Sequence, residues 1–254
     1  MLRCTNPASL NSVSAMRLLI EPDLTDRPLM TTTADTNDRD VLAVRGWMEN
    51  RPDHLSVASF KPGPGIQKLD LKFDIKQLRD AFKQCVASVE FQGGMQDQGF
   101  AAIPVTRRPG QTTWTENDLS GRYWIRGDDR YVEEAREDLV AEKLFSELNP
   151  SLRGTYFEHV FTELTERFPI GRTRILSKPQ YNCNSWHRDP EPRLHIPILS
   201  NPGSVFIVNH HATHLPADGS VYFTDTRGYH TALNGGDDNR VHLVAALAFE
   251  QITE

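Results

Sequence analysis

Across residues 74–89 the apolar side chains Ile75, Leu78, Phe82 and Val86 fall three and four apart behind an aspartate suited to capping, and the spacing predicts an amphipathic helix. The same period runs through VEEAREDLVAEKLFSEL (132–148) and YFEHVFTELTERF (156–168), with Pro150 and Pro169 closing both predicted helices. Beyond Pro169 the period changes to two. TRILS, RLHIPILS, SVFIVN, SVYFTDT and RVHLVAALAF read as strands, separated by the turn dipeptides Pro202-Gly203, Asp218-Gly219 and Gly235-Gly236. FAAIPV, behind the Gly-rich turn QGGMQDQG, reads as an earlier strand, and residues 112–129, carrying Trp114, Tyr123 and Trp124 among Gly, Asn and Asp, read as a long surface loop or lid. Helices first and a compact antiparallel sheet afterwards make an α+β chain, most simply a double-sheet jelly roll with helical buttressing from the N-terminal part. Residues 1–40, rich in Ser, Thr, Asn and Asp, are expected to be a flexible tail. Residues 41–254 are expected to be one domain, with a helical or mixed part over about 41–169 and the jelly-roll core over about 170–250.

Composition narrows the function only slightly. With 254 residues the chain is long enough for a substantial core. A net charge of -6 supplies no broad basic field, so neither nucleic acid nor an anionic membrane surface is an expected partner. Cys4, Cys85 and Cys183 form no CxxC pair, so neither a disulfide framework nor a thiolate zinc site is indicated, and a reducing cytoplasm is the expected location. No apolar run approaches a membrane span, and AMRLLI is too short for a secretory core.

The chemistry concentrates in NSWHRDPEPRLHIPI (184–198), which places imidazole, carboxylate and guanidinium where a buried strand favours valine. In an extended segment residues two apart face one side, so His187 and Asp189 point together, and Arg193, His195 and Pro197 alternate with Leu194, Ile196 and Ile198. An HxD pair chelates a metal, or it is simply hydrogen-bonded within itself. His230 lies downstream, and Arg240 opens the strongly apolar RVHLVAALAF, where a buried guanidinium demands an anion. Two histidines and a carboxylate are the ligand set of non-haem Fe(II) oxygenases, which leaves positions open for a bidentate 2-oxo acid and dioxygen. His195 and His242 also fit strand histidines satisfied by backbone. The cluster His210, His211 and His214 fits a solvated or substrate-facing loop, and Arg188 fits either a surface charge or a pocket residue.

HRDPEPRLHIPI followed by YHTALNGGDDNRVHLV resembles the Fe(II)/2-oxoglutarate-dependent dioxygenases of the aspartyl/asparaginyl β-hydroxylase type, a group that includes bacterial proline hydroxylases. The match covers roughly residues 172–249 and has four elements in order: HxD, RxH followed by proline, a distal His, and an Arg ten residues beyond it. The resemblance implies a double-stranded β-helix with Fe(II) on His187, Asp189 and His230 and 2-oxoglutarate on Arg240. It places Arg193 and His195 beside the cosubstrate or the substrate carboxylate. It implies hydroxylation at an aliphatic carbon of an amino acid, free or within a peptide or protein, at the expense of O2. Asp189 departs from the β-hydroxylase proper, which lacks a carboxylate ligand, and Ala245-Ala246 stands where an acidic residue is common. Arg193, and with it Arg188, is expected to be a spare cation for a second anion. Two other classes remain open on the residues alone, a cupin-like metal- or ligand-binding module and a zinc hydrolase.

Overall fold

A computed structural model describes residues 65–88, 92–95, 100–121, 124–127, 132–135, 140–209 and 211–248. The expected tail, Tyr123 and His210 lie outside the described residues. In chain order the first half comprises β1 (Ile66–Lys72), α1 (Ile75–Ser88), β2 (Gln92–Met95), β3 (Phe100–Pro104), β4 (Thr106–Arg107), α2 (Glu116–Ser120), β5 (Trp124–Gly127) and β6 (Val132–Ala135). Then come β7 (Glu147–Leu148), α3 (Tyr156–Arg167), β8 (Ile170–Lys178), β9 (Asn182–Cys183), β10 (His187–Arg188) and β11 (Arg193–Leu199). The chain continues through β12 (Ser204–Val208), β13 (His211–Thr213), β14 (Ser220–Thr224), β15 (His230–Asn234) and β16 (Arg240–Leu247).

The described strands form two large antiparallel sheets and a separate two-stranded one, β4-β7. One large sheet has the order β1-β14-β11-β16-β8-β3-β2, and the other β13-β12-β15-β10-β5-β6 with β9 beside β15. Two facing antiparallel sheets fit a jelly roll. The predicted Asp218-Gly219 turn is present, and Gly219 has φ 87° with its α-carbon so near Phe73 that a Cβ would sit 1.9 Å from the Phe73 carbonyl oxygen. Only glycine fits there.

Helix α1 starts at Asp74, whose Oδ1 accepts from the amides of Lys76 (2.8 Å) and Gln77 (3.1 Å). It buries Leu78, Ala81, Phe82 and Cys85, so the apolar stripe turns one residue away from the expected Val86, which is 41% exposed. Helix α3 is capped by Thr155 and buries Phe157, Val160 and Leu164. Both helices pack with Ile175 of β8, Leu194, Ile196 and Ile198 of β11, and Val241, Leu243 and Leu247 of β16 in one apolar cluster. Each such side chain contributes roughly 1.5–3 kcal/mol when fully buried. A smaller cluster, with Ile66, Phe206, Val208, Tyr222 and Ala232, draws on both sheets. All eight residues of β16 are buried, because the central strand has the helices on one side and the second sheet on the other.

The helix expected over 132–148 is corrected. Val132–Ala135 is a strand paired with β5, Glu142–Leu144 is a single tight turn, and Glu147–Leu148 pairs with β4. Tertiary contacts override helical propensity here. Phe145 is 1% exposed, and the Glu142 carboxylate accepts from the Arg172 amide at 2.9 Å and pairs with its guanidinium at 3.1 Å. Part of the expected loop over 112–129 is also ordered: α2 carries a Thr115/Asp118 capping box and Trp124 lies on β5. The described residues contain no helix long and apolar enough to cross a membrane.

Candidate metal and anion site

Strand register brings the candidate ligands together. His187 on β10 is the direct antiparallel partner of His230 on β15, so two residues far apart in sequence stand side by side with ring centroids 4.2 Å apart. Asp189 follows β10 immediately, its amide donating to the Thr226 carbonyl at 2.8 Å. One donor atom from each of His187, Asp189 and His230 lies within 4.8 Å of the others.

Their hydrogen bonds orient the donors. His187 Nδ1 is 2.7 Å from the Ser185 carbonyl oxygen and His230 Nδ1 is 3.0 Å from that of Gly228, so both rings carry hydrogen on Nδ1 and present the Nε2 lone pair. His230 Nε2 is 3.4 Å from Asp189 Oδ2, and that carboxylate oxygen is buried with no hydrogen-bond partner. Lone pairs facing each other in a buried space call for a cation between them. The donor set of two imidazole nitrogens and one carboxylate oxygen fits a divalent first-row metal. Burial, with His230 alongside, pushes the His187 imidazole down to about 4, which keeps it available as a ligand near neutrality. Burial alone raises a carboxyl, but at Asp189 the Arg193 guanidinium and the two histidines outweigh it and hold the group well below the usual carboxylate range.

Arg193 is where the expectation fails. Its Nη2 lies 2.7 Å from Asp189 Oδ1 and 3.8 Å from Glu191 Oε1, so it buttresses a candidate ligand and is not a spare cation. Arg188 turns its guanidinium over the Trp124 ring, 4.1 Å from the centroid, and does not line the cavity. The backbone-satisfied reading of the strand histidines also gives way. His195 and His242 face each other with Nδ1 atoms 3.4 Å apart, and burial, reinforced by Arg240, holds both well below the ordinary imidazole value. His211 is exposed on β13, and His214 Nδ1 is 2.9 Å from the Ser204 carbonyl oxygen.

A cavity of about 340 Å³ joins these groups; its walls include the triad, Arg193, His195, Phe206, Arg240 and His242. Arg240 is 7% exposed, donates to His242 from Nε (3.0 Å), and has no carboxylate partner among the described residues. Burial pushes its guanidinium down to about 10, an electrostatic cost that an incoming anion relieves.

Two further basic groups in the wall are not singled out by the sequence motifs. Lys178 is the cross-strand partner of Arg240, its Nζ held by the side-chain oxygens of Asn182, at 2.6 Å, and Asn184, and burial and then Arg240 push it down to about 7. Arg174 lies four residues earlier on the same face of β8. The signal is present in RTRILSK, where Arg172, Arg174, Leu176 and Lys178 alternate with Thr173, Ile175 and Ser177.

No family model and no curated protein matches the chain. Among solved structures it is similar to a 2OG-Fe(II) oxygenase family oxidoreductase from Burkholderia pseudomallei, at 17% identity over 72% of this chain and 83% of that one, TM-score 0.41. A prolyl-4-hydroxylase from Pseudomonas putida gives 11% identity over 72% and 91%, TM-score 0.37. A cupin domain from Bordetella pertussis gives 16% identity over 30% and 79%, TM-score 0.27. Likeness of this extent decides nothing about activity, which rests instead on the geometry of this chain's own residues.

Proposed function

We propose that the chain is an Fe(II)- and 2-oxoglutarate-dependent dioxygenase that hydroxylates an aliphatic carbon of an amino acid, free or within a peptide, in line with its resemblance to the aspartyl/asparaginyl β-hydroxylase and proline hydroxylase group. The observation that carries the reading is a single cavity holding both a His-Asp-His donor set, with an orphaned carboxylate oxygen, and a buried guanidinium without an acidic partner among the described residues. A zinc hydrolase needs only the first. A cupin-like binding module needs neither in combination with the other.

His187, Asp189 and His230 would hold Fe(II), which when bound couples the oxidative decarboxylation of 2-oxoglutarate by O2 to insertion of one oxygen atom into a C–H bond, with succinate and carbon dioxide as co-products. Arg240, with Lys178 across the strand pair, holds the far carboxylate of the 2-oxo acid by charge-assisted hydrogen bonds. Arg193 keeps Asp189 ionised and fixes its orientation. The Ser185 and Gly228 carbonyls fix the ring orientation of the two histidine ligands. Phe206, Ile125 and Val244 supply apolar wall that excludes water from the reacting carbon.

Aerobic incubation with Fe(II), 2-oxoglutarate and a panel of proline, other free amino acids and Asp- or Asn-containing peptides tests the reading. Succinate release stimulated by a panel member, whose mass rises by one oxygen atom, is the expected result. Stimulation by a nucleobase or a neutral lipid alone contradicts it.

A further inference from the structure

We propose that Arg174 holds a carboxylate of the substrate. The inference rests on the oxygenase reading and names the substrate chemistry of the same cavity.

The inward face of β8 carries Arg174 and Lys178 four residues apart, roughly 13 Å along a strand that rises ~3.3 Å per residue. Register places Lys178 opposite Arg240, and Arg174 opposite Val244, which in turn pairs with His195. The cavity therefore has two basic ends. A 2-oxo dicarboxylate anchored on Arg240 commits its far carboxylate there and its 2-oxo acid end to the metal position, so neither carboxylate is left for Arg174.

Charge points the same way. Among the described residues the cavity wall contains Arg174, Lys178, Arg193 and Arg240 against one carboxylate, Asp189, and Asp189 is engaged by Arg193 at 2.7 Å. Arg174 is 2% exposed and has no carboxylate partner among the described residues. Its Nη1 donates to the carbonyls of Leu119 and Ser120 at the end of α2, the latter at 3.0 Å, which accounts for one end of the fork. Its Nε is buried without any partner. Anchoring α2 explains the first observation and leaves the second unexplained, whereas a carboxylate on the Nε edge completes the guanidinium's hydrogen bonding. The cavity, at about 340 Å³, lies at the small end of ligand pockets, which run ~300–1,000 Å³, so a carboxylate delivered to Arg174 belongs to a molecule or side chain of amino-acid size.

The test uses the full chain loaded with Mn(II), which cannot turn over, and 2-oxoglutarate, and reads thermal stability. Each free L-amino acid is compared with its own C-terminal carboxamide, and blocked peptides containing Asp are compared with their Asn counterparts. At least one acid is expected to raise Tm at a concentration about 10–100-fold below that needed by its amide. Arg174→Gln, which removes the guanidinium and leaves a neutral amide at the position of its Nε, is expected to erase that discrimination while leaving the 2-oxoglutarate-induced shift within about twofold of wild type. A free amino acid as the active compound places the carboxylate on the α-carbon; an Asp peptide places it on a side chain. Equal effects of acid and amide, or of no compound in the panel, overturn the assignment while the 2-oxoglutarate shift stands. If Arg174→Gln does not fold, the acid/amide comparison on wild type decides alone. Absence of any metal-dependent 2-oxoglutarate shift overturns the parent reading, and this one with it.

Discussion

Strands β11 and β16 have two faces that are equally buried and chemically opposite. Toward α1 and α3 they present Leu194, Ile196, Ile198, Val241, Leu243 and Leu247. Toward the second sheet they present Arg193, His195, Arg240 and His242. Alternation along a strand costs nothing in backbone geometry, so one pair of strands supplies both a stabilising core and a charged cavity. The apolar face stabilises the fold by area removed from water. The polar face opposes folding, because desolvating guanidinium and imidazole is unfavourable unless partners compensate. Sites that break the local rule of apolar interiors are where function is found.

The contrast between the faces breaks hardest at Asp189. Asp189→Ala removes a proposed ligand and leaves Arg193 buried without its 2.7 Å partner, so turnover is expected to vanish and stability to fall by about 3–5 kcal/mol in urea melts. His230→Ala removes a proposed ligand without orphaning a charge, and its loss of turnover is expected with a smaller change in stability. On the opposite face, Leu243→Ala is expected to cost about 2–5 kcal/mol while metal affinity of the folded fraction stays unchanged. Arg240→Met inverts that pattern. The metal-free protein should be as stable as wild type or more so, since a buried guanidinium without an acidic partner among the described residues is removed, while 2-oxoglutarate affinity measured by calorimetry falls about 100-fold, equivalent to ~2.7 kcal/mol.

Lys178 sharpens the contrast through pH. Burial and Arg240 put its folded value near 7, below its ordinary 10.5, so between those values the unfolded chain binds the extra proton and stability rises with pH. Below about 7 both states are protonated and the contribution is flat. Lys178→Met is expected to remove this rise from melts taken across pH 7–10. It is also expected to remove a weakening of 2-oxoglutarate binding as the amine loses its charge above about 7. The smallest effect expected is at Arg188, where alanine removes a contact with Trp124 worth about 0.5–1 kcal/mol and leaves metal binding intact.

Much of this architecture is legible in the sequence. The change of period after Pro169 marks the strands of the sandwich, and the interruption of RLHIPIL by Arg193, His195 and Pro197 marks its polar face. Only family resemblance joins His187 to His230, because a cross-strand pairing between β10 and β15 leaves no trace in local spacing. Arg193 passes for a spare cation when Asp189 is assigned wholly to the metal, although a carboxylate has two oxygens and here each has a separate neighbour. Arg174 and Lys178 escape notice because RTRILSK advertises its strand character and not which side its cations face. The segment 132–148 misleads because an amphipathic pattern of charges suits a helix, while Glu142 and Phe145 are held by Arg172 of β8.

Anaerobic titration of Fe(II) into the protein with 2-oxoglutarate, followed in the visible spectrum, tests the central claim most directly. A weak charge-transfer band saturating at one metal per chain in wild type, absent in His230→Ala and needing far more 2-oxoglutarate in Arg240→Met, is the predicted result. Fe(II) binding without the band, or a band indifferent to both substitutions, would contradict the assignment of this cavity.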